Sequence, residues 1–303
     1  MKISIFLAAS LLFFSCNKSN EVAIKLLRTE ATDYNGVLLA TEYVYNPEGR
    51  IIAIKQAENS ATPAVAFNIT YNGNEIAMLS NPKIDPVYNT SKEVHLTLDA
   101  KSNVLKAIGY TYSVGSYPYN SSTKKFNYDT LVYMYDAAGF LKETKQNFYD
   151  SSWTEHDNTN VGKGNTTISY TTVGGNVTAK DEYSVYTRII INGGNTNLTG
   201  GTSEHHFNYK YTKAYPNKTD FKNATVLNEL RDYHELLLDE KYQNMPEQVV
   251  IQSLEKDING TVYFNYTSTG DVERIYNDNG LLSGADVLTP TTQYRKVRYF
   301  YNR

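Results

Sequence analysis

Four times in this chain a tyrosine is followed by three residues, a glycine, one more residue and an aliphatic side chain. The copies begin at Tyr45, Tyr135, Tyr266 and Tyr276, place glycine at Gly49, Gly139, Gly270 and Gly280, and end on Ile51, Leu141, Val272 and Leu282. Each reads as strand, tight turn, strand. Asn46, Asp136 and Asn277 open three of the turns, where a short side-chain acceptor caps the backbone. Pro47 takes the second turn position, where its fixed φ is already correct. The glycine closes each turn at a place that calls for positive φ.

The residues before the turns alternate. Tyr43 and Tyr45 share a face with Val44 on the other; Tyr133 and Tyr135, and Phe264 and Tyr266, repeat the pattern. A period of two is the strand signature. Weaker copies lie between: Tyr71-Asn72-Gly73-Asn74, Leu98 to Val104 with Ser102 in place of glycine, and Thr171 to Val177 with Gly175. The expected architecture is mainly β, a curved antiparallel sheet of repeated hairpins.

One segment breaks the pattern. Val226, Leu230, Tyr233 and Leu237 recur at helical spacing, with Pro246 just beyond, which predicts one short helix near 223–242. An open sheet has two exposed edges, and a helix of this kind would cover one of them. Three stretches read as long polar loops: Ser113 to Lys125, Asp150 to Thr166 and Asn192 to Ser203.

The N-terminus carries a different signal. Lys2 precedes an apolar run from Ile3 to Phe14, too short to span a bilayer as a helix. Phe13-Phe14-Ser15-Cys16 follows, and Cys16 is the only cysteine. This pattern looks like a bacterial lipoprotein signal, cleaved before Cys16, whose thiol takes the lipid. The implied division is a signal peptide over 1–15, a lipidated tether over 16–22 and one repeat domain over 23–303. A single thiol also excludes a disulfide framework.

Lys plus Arg is 29 and Asp plus Glu is 32, a net charge of −3. That balance provides no field for nucleic acid. Tyrosine, at 27 residues, suits a sheet on which rings pack while hydroxyls stay wet.

The tyrosine, Asn/Asp and glycine hairpin resembles the tyrosine-aspartate (YD, RHS-like) repeat. Behind a lipoprotein signal it is similar to uncharacterised Bacteroidetes lipoproteins in which a hairpin array carries an inserted helix followed by a Met-Pro strand start, here Met245-Pro246. The resemblance implies architecture and a cell-envelope location, in the outer membrane with the periplasmic or surface face left open. It implies no chemistry.

Catalytic and metal signatures are absent from the sequence. His205 and His206 are adjacent, so in a strand they point to opposite faces. There is no His-Glu-x-x-His, no Cys-x-x-Cys, no Gly-x-Ser-x-Gly, and no cofactor motif. Gly162-Lys163-Gly164 lacks the strand-to-helix context of a phosphate loop. Trp153, the single tryptophan, with Tyr149 and His156, forms a candidate ligand-binding group: an aromatic face beside polar groups suits a sugar. The leading expectation is a non-enzymatic, lipid-anchored envelope protein that binds or holds a partner. The alternatives are a polysaccharide-binding component of a glycan-uptake system and a cryptic hydrolase.

Overall fold

The computed structural model describes residues 25–33, 35–59, 61–81, 83–84, 88–101, 103–116, 122–154, 159–211, 246–287 and 294–301. All described regular structure is β, in one antiparallel sheet of 17 strands. The strands are β1 (Leu26–Asp33), β2 (Leu38–Tyr45), β3 (Ile51–Glu58), β4 (Ala64–Asn72), β5 (Glu75–Ser80), β6 (Lys83–Ile84), β7 (Tyr88–Leu98), β8 (Val104–Ser116) and β9 (Ser122–Tyr135). They continue as β10 (Leu141–Thr154), β11 (Thr159–Val173), β12 (Asn176–Asn192), β13 (Asn195–Lys210), β14 (Gln248–Asp257), β15 (Val262–Tyr276), β16 (Leu282–Val287) and β17 (Tyr294–Tyr301).

Sequential strands pair as a meander, and β1 pairs with β17 as well as with β2. The hydrogen-bonded order therefore runs round a ring. An odd number of antiparallel strands could not close. Here β5 and β6 both lie against β7 and share one position, which makes the number even. The two terminal strands, which the sequence reading leaves as open edges, pair with each other. The helix expected near 223–242 and the signal, Cys16 and tether all lie outside the described residues.

Three of the four full repeats are turns as expected. Gly49, Gly139 and Gly280 have φ of 82°, 86° and 74°. In each turn the glycine N–H donates to the carbonyl of Asn46, Asp136 or Asn277, and the N–H of that same residue donates across the turn to the carbonyl of Arg50, Phe140 or Leu281. The Asn or Asp Oδ1 accepts from the backbone N–H of the residue after the glycine, at 2.8 Å from Arg50, 2.9 Å from Phe140 and 3.0 Å from Leu281. The Tyr266 copy is a correction. Gly270 sits inside β15, paired with Val249. Thr267 stands where the other copies have Asn or Asp, so no carboxylate or amide oxygen caps a turn there. The turn that does form in this region is Asp257 to Thr261, with Gly260 at φ 82° and Asp257 Oδ1 accepting from Asn259 and Thr261. It keeps the Asp and Gly and lacks the tyrosine.

Each of these turns is followed by a bulge. Tyr45 pairs with Ile51 while Val44 pairs with Ala53, and Tyr135 pairs with Leu141 while Met134 pairs with Glu143. A bulge breaks the ladder locally, and tyrosine repairs the break. Tyr71 Oη donates to the Ile51 carbonyl at 2.8 Å, Tyr135 Oη to Val104 at 2.9 Å and Tyr211 Oη to Val177 at 2.5 Å. Tyr45 Oη does the same for Leu26, at 2.6 Å. Three of these carbonyls belong to the residue just after a turn; Tyr71 and Tyr135 lie on the strands that lead into the next turn at that end, and Tyr211 directly follows β13. This links each hairpin to its neighbour and explains why tyrosine precedes the turns.

Register assigns each strand residue to one of two faces. One face holds Leu26, Tyr43, Ile51, Ile54, Ile69, Met78, Val94, Val104, Ala107, Tyr133 and Tyr299, all buried. In a ring this face is the interior. A round barrel of this strand number leaves a water channel. Complete burial of Leu26, Ile51 and Val177 shows instead that the lumen is filled at the end where turns 46–49, 136–139 and 277–280 lie. A second cluster of Val177, Phe207, Tyr209 and Ile251 continues the filling.

The three expected loops are mostly strand. β8 reaches Ser116 and β9 begins at Ser122; β10 reaches Thr154 and β11 begins at Thr159; β12 and β13 meet at a two-glycine turn, Gly193-Gly194. Thr, Asn, Ser and Gly read as loop residues in isolation, but pairing on both sides overrides that weak preference.

Candidate functional site

The barrel is lopsided. Strands β8 to β13 have 13 to 17 residues, whereas β1 to β5 have 6 to 9. The long wall continues past the filled end, and its inner face there is polar and aromatic. In register across β10 to β15 run three inner rows. The first is Thr144, Ile168, Glu182, His205, Ser253 and Tyr266; the second is Gln146, Thr166, Ser184, Ser203, Glu255 and Phe264. The third is Phe148, Gly164, Tyr186, Gly201 and Asp257. Beyond it, Asp150 and Arg188 flank Gly162.

The glycines make this wall. A Cβ on Gly162 would overlap the Asp150 carboxylate, one on Gly164 would overlap the Phe148 ring, and one on Gly201 would overlap the Lys256 carbonyl oxygen. Their absence lets long neighbours lie flat across the strand. Arg188 Nη2 comes within 3.7 Å of Asp150 Oδ2 across Gly162. Tyr186 and Tyr263 hydroxyls meet at 2.9 Å, and Tyr263 donates to Glu255 Oε2 at 2.8 Å. Its hydrogen bonds with Tyr186 and then with Glu255 push the Tyr263 phenol above its usual range. Phe264 and Tyr266 lie 4.6 Å apart between centroids, tilted by 57°, and stay exposed. Deeper in the wall, Thr166 and Ser184 hydroxyls meet at 2.8 Å, His205 Nδ1 lies 2.8 Å from Ser253 Oγ, and Lys180 Nζ sits 3.7 Å over the Phe207 ring.

The expected site residues fall on both faces. Tyr45, Tyr135 and Tyr276 pack against the interior cluster, so their role is structural. Tyr266 lies on the inner wall, exposed. Trp153 is a strand residue of β10, paired with Lys124 and Thr159. It shares the outer face with Tyr149, and both are exposed. His156 lies outside the described residues. His205 and His206 do point opposite ways: His205 inward to Ser253, His206 outward to Asp181 at 2.7 Å. Among the described residues no three His, Cys, Asp or Glu side chains are grouped to hold a metal.

Arg188, Asp150, Tyr186, Tyr263 and Glu255 carry no motif, so the sequence does not single them out. The available signal is glycine inside an alternating strand, at 162, 164 and 201, which marks close approach by a neighbour.

No protein-family model matches the chain, and no curated protein does. Among solved structures, the chain is similar to a porin-like protein from Bacteroides uniformis ATCC 8492, with 9% identity and a TM-score of 0.45, over 92% of this chain and 96% of that one.

Proposed function

We propose that this chain is a non-enzymatic binding protein of the cell envelope, held to the membrane by a lipid on Cys16 and taking its ligand on the inner wall of the long strands. The observation that carries the reading is the contrast between the two ends of the lumen. One is packed with apolar side chains and tyrosine hydroxyls bonded to backbone. The other exposes Phe264, Tyr266, Tyr263 and Arg188 beside carboxylates.

The inner carboxylates favour binding over hydrolysis. Asp129 accepts from Gln146 at 3.2 Å, Asp150 faces Arg188, Glu182 faces Lys180 at 3.8 Å and Glu255 accepts from Tyr263. A glycosidase needs one carboxyl poised as an acid and another as a base or nucleophile across a cleft. These four, and Asp257, which accepts from the N–H groups of its own turn, serve as acceptors or ion-pair partners within the wall. A glycan is the ligand class the wall suits best. Exposed rings supply stacking faces, and hydroxyl, carboxylate and guanidinium groups supply hydrogen bonds. The lipid anchor and the YD-like relationship are parts of the same proposal, resting on the sequence alone.

The test is a glycan array and an envelope-protein binding screen with the mature chain carrying Cys16→Ser. Arg188→Ala and Tyr266→Ala should each weaken retention of any hit by at least tenfold while the thermal transition is unchanged. Turnover of a bound glycan or peptide would refute the non-enzymatic reading.

A further inference from the structure

The outer face of the long wall changes character along its length. Near the filled end it is charged: Glu143 pairs with Lys145 at 3.1 Å, Lys256 with Glu204 at 3.6 Å and His206 with Asp181 at 2.7 Å. Beyond these, register places four successive outer rows on β8 to β13. They hold no acidic residue. The first is Ile108, Thr130, Asn147, Asn165, Val185 and Thr202, without charge. The next three contain Tyr110, Tyr112, Phe126, Tyr128, Tyr149 and Trp153, with only two charges, Lys124 and Lys163. Acids resume at the margin, with Glu93 on β7 paired to Tyr110.

The rings are placed together. Tyr110, Tyr128 and Tyr149 are cross-strand partners in one row, with Tyr110 and Tyr128 at 5.1 Å between centroids, and Phe126 and Tyr149 at 6.4 Å. Tyr110, Tyr112, Tyr149 and Trp153 remain exposed, as do Ile189 and Leu198 beside them. The same strands are polar inside. This alternation, polar inside and rich in exposed tyrosine, tryptophan and aliphatic side chains outside, is how β-structure meets lipid.

We infer that this acid-free outer wall seats the barrel on a phospholipid bilayer, with its rings at headgroup level and Lys124 and Lys163 against the phosphates. The barrel does not span. A transmembrane strand needs about 9–11 residues, and the opposite wall, with β1, β2 and β3 of 8 residues and β5 of 6, is too short. That wall also carries the Arg28–Glu30 and Arg298–Asp286 pairs on its outer face, at 2.6 and 2.5 Å. Contact is one-sided, and it differs from the inner-wall binding proposed above, which faces the lumen. The charge argument selects the occupant. Among the described residues these two cations have no acid in their rows on β8 to β13, which complements a phosphate surface, whereas an uncharged glycan or the same acid-free face of a second copy offers them no anion.

Trp153, the only tryptophan, reports on this wall directly. The mature chain carrying Cys16→Ser, and so without any acyl anchor, is titrated with phosphatidylethanolamine vesicles with and without phosphatidylglycerol. The expected result is a blue shift of Trp153 emission, quenching by lipids brominated on the acyl chain, and loss of acrylamide quenching. Each lysine near an anionic surface contributes about fivefold in affinity, so Lys124→Gln with Lys163→Gln should weaken binding to the anionic vesicles about 25-fold. Ile189→Asp with Leu198→Asp, both exposed, should abolish binding without shifting the thermal transition. Unchanged emission at saturating lipid overturns the inference. So does lipid-free burial of Trp153 through concentration-dependent self-association, or a Trp153 shift produced only by polysaccharide. Ligand retention on the inner wall should survive the Ile189 and Leu198 changes, which separates failure here from failure of that site.

Discussion

Two glycine-to-alanine substitutions separate the two uses this fold makes of glycine. Gly260 has φ 82°, and a Cβ there meets nothing within 4 Å. Its cost is therefore conformational. A left-handed backbone costs an L-residue roughly 1–2 kcal/mol. Reduced freedom of the unfolded chain offsets about 0.4–1 kcal/mol of that, leaving a loss of about 1 kcal/mol. Asparagine tolerates the same conformation better, so Gly260→Asn should lose less than Gly260→Ala. Gly201 is the opposite case. Its backbone is ordinary, but a Cβ would overlap the Lys256 carbonyl oxygen and lie 3.0 Å from the carbonyl carbon and 3.2 Å from Asp257 Cα. Relief requires moving β13 from β14, where the two strands pair from Gly201–Asp257 to Lys210–Gln248. Overpacking costs about 1–3 kcal/mol where side chains give way, and more where backbone must move, so Gly201→Ala should lose about 3 kcal/mol or more. Guanidinium denaturation followed by Trp153 and tyrosine fluorescence measures both. For a chain of this size 1 kcal/mol is about 2–4 °C in Tm. Equal losses at the two sites, or a larger loss at Gly260, would refute the distinction between turn glycines and packing glycines.

Tyr135→Phe removes the hydroxyl that donates to Val104 and should cost about 1 kcal/mol, measured by the same denaturation; no loss would show that the bulge carbonyl needs no tyrosine. Asp136→Ala removes the acceptor for the Phe140 N–H and should cost about 1 kcal/mol, whereas Asp136→Asn, which keeps the oxygen, should cost a few tenths. Burial pushes the Tyr299 phenol up to about 12 from 10.0, and Tyr211 likewise up to about 12. The folded form therefore holds these protons more tightly than the unfolded one. The associated stability is complete below pH 10 and is lost as pH rises toward 12. For Tyr299 that loss approaches roughly 3 kcal/mol, and Tyr299→Phe should flatten the decline in denaturation midpoint across that range.

The turns were legible in the sequence because they are local. Asn46, Asp136 and Asn277 bond within four residues of themselves, and Gly49, Gly139 and Gly280 adopt the conformation that only glycine reaches cheaply. Alternation of Tyr43 with Tyr45 and of Tyr133 with Tyr135 likewise shows strands before any fold is known. Tyr266 and Gly270 show the limit of this reading. Their spacing matches the repeat, yet without an Asn or Asp at 267 the chain runs straight on as β15.

Everything that depends on distant pairing was decided by the tertiary structure. β1 finds β17 across almost the whole chain, and that contact removes the edges a hairpin array would leave exposed. Which glycines mark turns and which clear space for Phe148, Asp150 or the Lys256 carbonyl depends on the neighbouring strand's register, since a shift of one residue exchanges the two faces. The same register puts Trp153 and Tyr149 on the outer wall and gathers Arg188, Tyr186 and Tyr263 inside. Backbone conformation is written within a few residues, whereas the face and company of a side chain are set by strands far away in sequence.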